Sequence, residues 1–144
     1  MSSPTGLPLF VYGTLRIPSV LTALLGQKQI SSRPAILNSV KRLCIQKEVY
    51  PGLVEGAWGS LVKGDLLFGL SRQDEELLDR FEGEEYQKER RWARDTSGCF
   101  HECSVYVFKY MYRYRLENKI WESNFLTKEK LALFCAHYQG WRAK

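Results

Sequence analysis

The chain has 144 residues, a formal net charge of +5, 44% hydrophobic and 26% charged residues. Those values suit one domain around one core, and they exclude disordered, collagen-like and disulfide-scaffold classes. No apolar run reaches the ~20 residues of a membrane span, and the stretch from Met1 to Gly6 lacks the basic-then-apolar pattern of a secretory leader, so a cytoplasmic location without membrane partners is expected.

The first element is the apolar run Leu9-Phe10-Val11-Tyr12, which predicts a buried strand that opens into a loop at Gly13. Pro18 near the start and Gly26 past the end frame a short helix over Val20 to Leu25. Ala35 to Ile45 reads as one strand and Tyr50-Pro51-Gly52 as a turn. Ser60 to Leu70 is a further strand, and Gly64 and Gly69 within it suggest a bulge or a tightly curved sheet. Ser71 is placed to cap a helix whose first turn carries Asp74, Glu75 and Glu76. Leu77, Leu78 and Phe81 are its apolar anchors, and Gly83 is its C-cap. Tyr86 to Arg94 and Phe100 to Tyr110 pair around the turn Asp95-Thr96-Ser97-Gly98. Tyr110, Tyr112 and Tyr114 alternate with Arg113 and Arg115 as on a strand. Thr127 caps a last helix with a stripe of Leu131, Phe134, Cys135 and Tyr138. Strands and helices without regular alternation predict α+β, with the strand glycines hinting at a barrel.

Charge and cysteine patterns give two further candidates. Seven acids between residues 74 and 85 are followed by Lys88, Arg90, Arg91 and Arg94. That step suits a solvated strand beside an acidic helix better than an anionic partner. Cys99, His101 and Cys103 would share one strand face, yet the spacing is not that of a zinc motif and no fourth ligand is evident. The chain has no aromatic pattern of an RNA-recognition domain, so nucleic acid is not an expected partner.

Glu82 is the acid with the most distinctive surroundings. It ends its helix, where the dipole disfavours a carboxylate, and Asp79, Glu84 and Glu85 add like charge. Phe81 and Tyr86 would desolvate it. All of these raise a carboxyl pKa, as general acid–base catalysis requires. The same residues also suit a solvated surface acid. Tyr12-Gly13-Thr14-Leu15 leaves backbone N–H groups without evident sheet partners, which can cradle a carboxylate, and Arg16 adds charge. No G-x-S-x-G, H-E-x-x-H or P-loop motif is present. An enzyme built from these residues would work by proton transfer from a carboxylate, with neither metal nor cofactor.

The two candidates join in a resemblance. Leu9 to Arg16, Tyr50 to Leu53, Gly64 to Leu70, Leu78 to Tyr86 and Cys103 to Tyr110 resemble, in order, landmarks of the γ-glutamyl cyclotransferase-like superfamily. The tail, with Trp121 and the helix after Thr127, resembles the avirulence-induced-gene-like branch. The resemblance implies a single domain over 1–144, with a core at about 7–110 and a C-terminal helical extension over 111–144. It implies a small mixed β-barrel with flanking helices, and release of 5-oxoproline from a small γ-glutamyl amide. In that analogy Glu82 moves the proton, the loop Tyr12, Gly13, Thr14, Leu15 and Arg16 binds the glutamyl group, and Tyr50 and Tyr86 line the pocket. Lys88 stands where the family pattern has arginine. A non-catalytic small-molecule or anion-binding module would have the same fold. Neither the leaving group nor the oligomeric state is legible.

Overall fold

Alternation along Leu9–Val11 (β1) divides the interior in two. In the computed structural model, which describes residues 6–138, Leu9 and Val11 pack with Val20, Leu24 and Leu78 of the helices. Phe10 and Tyr12 join Leu37, Leu66, Cys103 and Val105 in a second cluster drawn from strands and strand ends. β1 pairs antiparallel with Leu61–Phe68 (β5) and parallel with Phe100–Phe108 (β7). Ser31–Asn38 (β2) and Tyr86–Asp95 (β6) close a five-stranded barrel in the order β1-β5-β2-β6-β7. A second sheet has the order β4-β3-β8, formed by Pro51–Glu55 (β4), Val40–Ile45 (β3) and Leu116–Ile120 (β8). With helices Pro18–Leu25 (α1), Arg72–Glu82 (α2) and Lys128–Tyr138 (α3), this is an α+β barrel with flanking helices.

Helix α2 forms where its caps dictate. Ser71 Oγ accepts from the Asp74 amide at 3.1 Å, and the Asp74 carboxylate accepts from the Ser71 amide at 2.9 Å. Gly83 closes it at φ +79°. Leu78 is fully buried, which holds the helix end against the barrel. Gly64 is required by close approach: a Cβ there would lie 2.2 Å from the Val11 carbonyl oxygen and 2.6 Å from the Phe10 ring. The β2–β5 register runs unbroken past it, so Gly64 marks curvature and contact rather than the bulge its position suggests.

Four local expectations are corrected. The span 35–45 is not one strand, because Ser39 at φ +62° turns the chain from the barrel into the second sheet. Ser39 is held by its amide to the Ser60 carbonyl (2.7 Å) and its carbonyl to the Gly56 amide (2.9 Å). Pro51 and Gly52 begin an edge strand rather than a turn, since an edge position tolerates a residue with no N–H. Tyr110–Arg115 is a 3-10 turn, in which Arg113 stacks on Tyr110 at 3.7 Å, so the tyrosines do not form a strand stripe. The tail beyond residue 110 is not wholly helical, because β8 pairs with β3. Trp121, 2% exposed, fastens it through its ring N–H to the Val49 carbonyl (2.8 Å).

Among the described residues no helix is long and apolar enough to cross a membrane. Residues 1–5, on which the leader reading rests, and 139–144 lie outside the described residues.

Candidate active site

The end of α2 delivers Phe81 and Glu82 to a small, partly open cleft. The chain leaving β1 lines it with Tyr12, Gly13, Thr14 and Leu15. Tyr50, Tyr86 and Tyr106 add three aromatic walls. The structure thus gathers Glu82, the loop from Tyr12 to Leu15, Tyr50 and Tyr86 around one space. Arg16 is not among the residues lining it; its Nε pairs with Asp65 at 2.9 Å instead.

The tyrosine hydroxyls around Glu82 are committed elsewhere. Tyr12 donates to the Tyr106 carbonyl at 2.6 Å, and Tyr86 to the Pro51 carbonyl at 2.7 Å. Tyr106 donates to Asp79 Oδ1 at 2.5 Å, and Tyr50 to Glu48 at 2.8 Å. Among the described residues, none donates a hydrogen bond to the Glu82 carboxyl. The residue is half-buried, and burial of the carboxyl, then the charge of Asp79, push its pKa up to about 8. Of the like charges expected around Glu82, Asp79 alone contributes. Glu85 pairs with Arg115 at 2.5 Å, and Glu84 is exposed. Asp79 is itself held by Lys88 at 2.9 Å.

The loop supplies donors. Gly13 and Thr14 carbonyls accept from Arg16 and Ile17 amides at 3.1 Å, forming a 3-10 turn over Thr14–Arg16. No acceptor among the described residues takes the amides of Gly13, Thr14 or Leu15. Such a run of unpaired N–H groups beside a cavity suits an anion. Gly13 is needed for close packing, since a Cβ would lie 2.8 Å from Pro51 Cδ.

Sequence reasoning missed Tyr106, Pro51 and Tyr138 as cleft residues. The strand formers Val105, Val107 and Phe108 mark Tyr106 as a strand residue, but Cys103 to Phe108 are all buried, so its facing depends on barrel closure. Tyr138 arrives from α3, where Phe134 and Tyr138 pack edge-on against Phe81 at 5.8 and 5.0 Å.

The other candidates stand apart from this cleft. Cys103 is buried with its thiol pushed up to about 11 by burial, while Cys99 is exposed. His101 Nε2 lies 2.7 Å from Asp95, and among the described residues no three potential metal ligands gather. In the basic segment, Lys88 and Arg91 are paired with acids, and Arg90 and Arg94 are exposed on β6.

A sequence profile described as gamma-glutamyl cyclotransferase, AIG2-like matches residues 9–123. AIG2-like protein D of Arabidopsis thaliana is 37% identical over 82 residues, covering 56% of this chain and 52% of that protein. The matches span about half the length of the curated relatives. A solution structure of another Arabidopsis thaliana protein superposes with a TM-score of 0.67 at 21% identity, over 95% of this chain and 91% of its own. A solved structure described as gamma-glutamyl cyclotransferase gives 0.63 at 14% identity, over 77% of this chain and 68% of its own. At these identities the structural likenesses establish the fold alone.

Proposed function

The chain belongs to the gamma-glutamyl cyclotransferase, AIG2-like family, and from that premise we propose that it cyclises a small γ-glutamyl amide to 5-oxoproline, with Glu82 as the proton-transfer group. The observation that carries this reading is a carboxyl with no hydrogen-bond donor from the described residues, pushed up to about 8, in a cleft that also holds the loop amides.

Each part has a task in the reaction. The Gly13, Thr14 and Leu15 amides receive the substrate's α-carboxylate. That places the α-ammonium near Glu82, whose ionised carboxylate removes a proton. The freed amine attacks the γ-carbonyl carbon, forming the ring C–N bond. Glu82 then returns the proton to the departing nitrogen as the original amide bond breaks, and the second proton of the ring nitrogen passes by the same carboxyl to the released amine. Atoms balance without water: the products are 5-oxoproline and an ammonium ion. One carboxyl performs both transfers because its pKa lies near those of the groups it serves. Attack within one molecule makes positioning the main contribution of the cleft, and the loop supplies it. Tyr12 and Tyr86, fixed by their own bonds to backbone carbonyls, shape the cleft without quenching Glu82.

The test is product identity. Incubation with γ-glutamyl amides should release 5-oxoproline and amine in equal amounts; release of glutamate would mean that water, not the α-amine, is the nucleophile. A companion prediction follows from the charge beside Glu82. Asp79→Asn removes a repelling negative charge, so the rising limb of the pH–rate profile should move to lower pH. It should remain above the free-carboxylate value of about 4.3, because burial persists. A limb that stays in place would mean that Asp79 does not tune Glu82.

A further inference from the structure

Strand alternation splits the basic run that follows α2 between two faces of β6. Arg91 lies on one face and pairs with Glu55 and Glu89. Lys88, Arg90, Trp92 and Arg94 share the other. At its start that second face is covered by α2: Tyr86 and Tyr106 join Leu78 in the helix-facing cluster, and Lys88 pairs with Glu75 and Asp79. From Arg90 onward it is open. Arg90 and Arg94 are exposed, and Trp92 between them is 60% exposed. Neither arginine makes an ion pair among the described residues.

Cross-strand register extends this open face over the neighbouring strands β5-β2-β6-β7. Lys63, Ile36, Arg94 and Phe100 stand opposite one another in a single row. Beside that row lie the opposed pairs Leu61 with Asn38 and Trp92 with Glu102. Phe100 is 58% exposed and Leu61 47%. Trp92 and Phe100 are diagonal neighbours, which places them about 7–8 Å apart. Three cations, Lys63, Arg90 and Arg94, face one half-buried acid, Glu102. The inward residues of the same strands, Leu37, Val62, Ala93 and Cys103, fill the barrel, so the outer side chains do no packing there. Two large aromatic rings left side by side in water, among uncompensated arginines, mark a surface built for a partner.

We propose that this outer face binds single-stranded nucleic acid, with bases stacking on Trp92 and Phe100 and phosphates held by Arg90, Arg94 and Lys63. The partner has to offer flat apolar faces and negative charge at short, regular intervals. An unpaired strand of RNA or DNA offers both, because every base has a π-face and every nucleotide a phosphate. Arginine's planar fork suits the phosphate oxygens. A duplex fits poorly, since its bases stack on one another and leave no face for Trp92 or Phe100. The expectation against nucleic acid rests on a missing sequence pattern; here the sheet brings two exposed rings together on adjacent strands without that pattern. None of these residues lines the Glu82 cleft, so the inference stands apart from the cyclisation reading.

The experiment measures fluorescence anisotropy of labelled oligouridylate and oligothymidylate with the full chain, between 50 and 200 mM salt. The wild-type chain should bind both, and the logarithm of affinity should fall with that of salt at a slope of about −2, as for three neutralised phosphates on a single strand. Trp92→Ser should weaken binding by about 5–100-fold with little change in slope, since stacking carries no charge. Arg90→Gln and Arg94→Gln should each flatten the slope by about 0.7. Lys128→Gln, at an exposed position on α3, should leave affinity and slope unchanged. All four side chains are exposed, so the fold should persist, as circular dichroism would verify. No binding to either oligonucleotide, or binding that Trp92→Ser leaves intact, would overturn the proposal. So would equal losses from Lys128→Gln and Arg90→Gln, which would mean attraction to overall charge. Capture on phosphatidylserine–phosphatidylcholine vesicles with no oligonucleotide binding would overturn it in favour of a membrane surface.

Discussion

Replacing Glu82 by Gln is expected to lower 5-oxoproline release by about 10²–10⁴-fold, the range of a general acid–base contribution. The amide is close in size to the carboxyl and can neither take the α-ammonium proton nor return it. Loss should appear in kcat more than in KM, because the glutamyl carboxylate is held by loop amides that the substitution does not touch. The fold should survive. Among the described residues, Glu82 receives no hydrogen bond through its carboxyl, and α2 is fastened instead by Leu78, by the Ser71–Asp74 cap and by Gly83. Circular dichroism and thermal unfolding would separate lost chemistry from lost structure. A variant with the wild-type rate would remove Glu82 from the mechanism.

The second large effect concerns stability, and the same substitution exposes it. Glu82 rises from the usual 4.5 to about 8 in the folded chain. Below pH 4.5 both folded and unfolded chains hold the proton, and the group has no effect. Between 4.5 and 8 the unfolded chain releases the proton while the folded chain keeps it, so stability falls as pH rises. Above 8 both are ionised and the loss is complete. At about 1.4 kcal/mol per pKa unit, with allowance for the carboxyl's partial contact with solvent, the loss is on the order of 2–4 kcal/mol. Glu82→Gln carries no such burden. Denaturant unfolding at pH 5 and pH 9 should therefore show the variant gaining on the wild-type chain by roughly that amount. An unchanged difference between the two pH values would mean that the carboxyl is not withdrawn from water.

What could be read in advance follows the range of the interactions involved. The apolar run Leu9 to Tyr12 ending at Gly13, and the helix from Ser71 to Gly83, are written in residues within a few positions of one another. Caps, periodicity and turn glycines act at that range. Those two segments bring Tyr12 to Leu15 and Glu82 to the cleft, so much of the candidate site was legible. Pro51-Gly52 misled because the strand there depends on pairing with Leu43 and Cys44, and local chemistry favours a turn. Ser39 shows the converse: its left-handed backbone is imposed by Ser60 and Gly56, and nothing local announces it. Tyr106 and Tyr138 enter the cleft only after the barrel closes and α3 docks on Phe81.

The pH dependence of 5-oxoproline release, measured from pH 6 to 9.5 on γ-glutamylalanine, bears most directly on the central claim. A carboxyl pushed up to about 8 that must ionise before it accepts the α-ammonium proton predicts kcat/KM rising through a limb centred near pH 8. A profile already level at pH 6, or turnover that yields glutamate in place of 5-oxoproline, would contradict it.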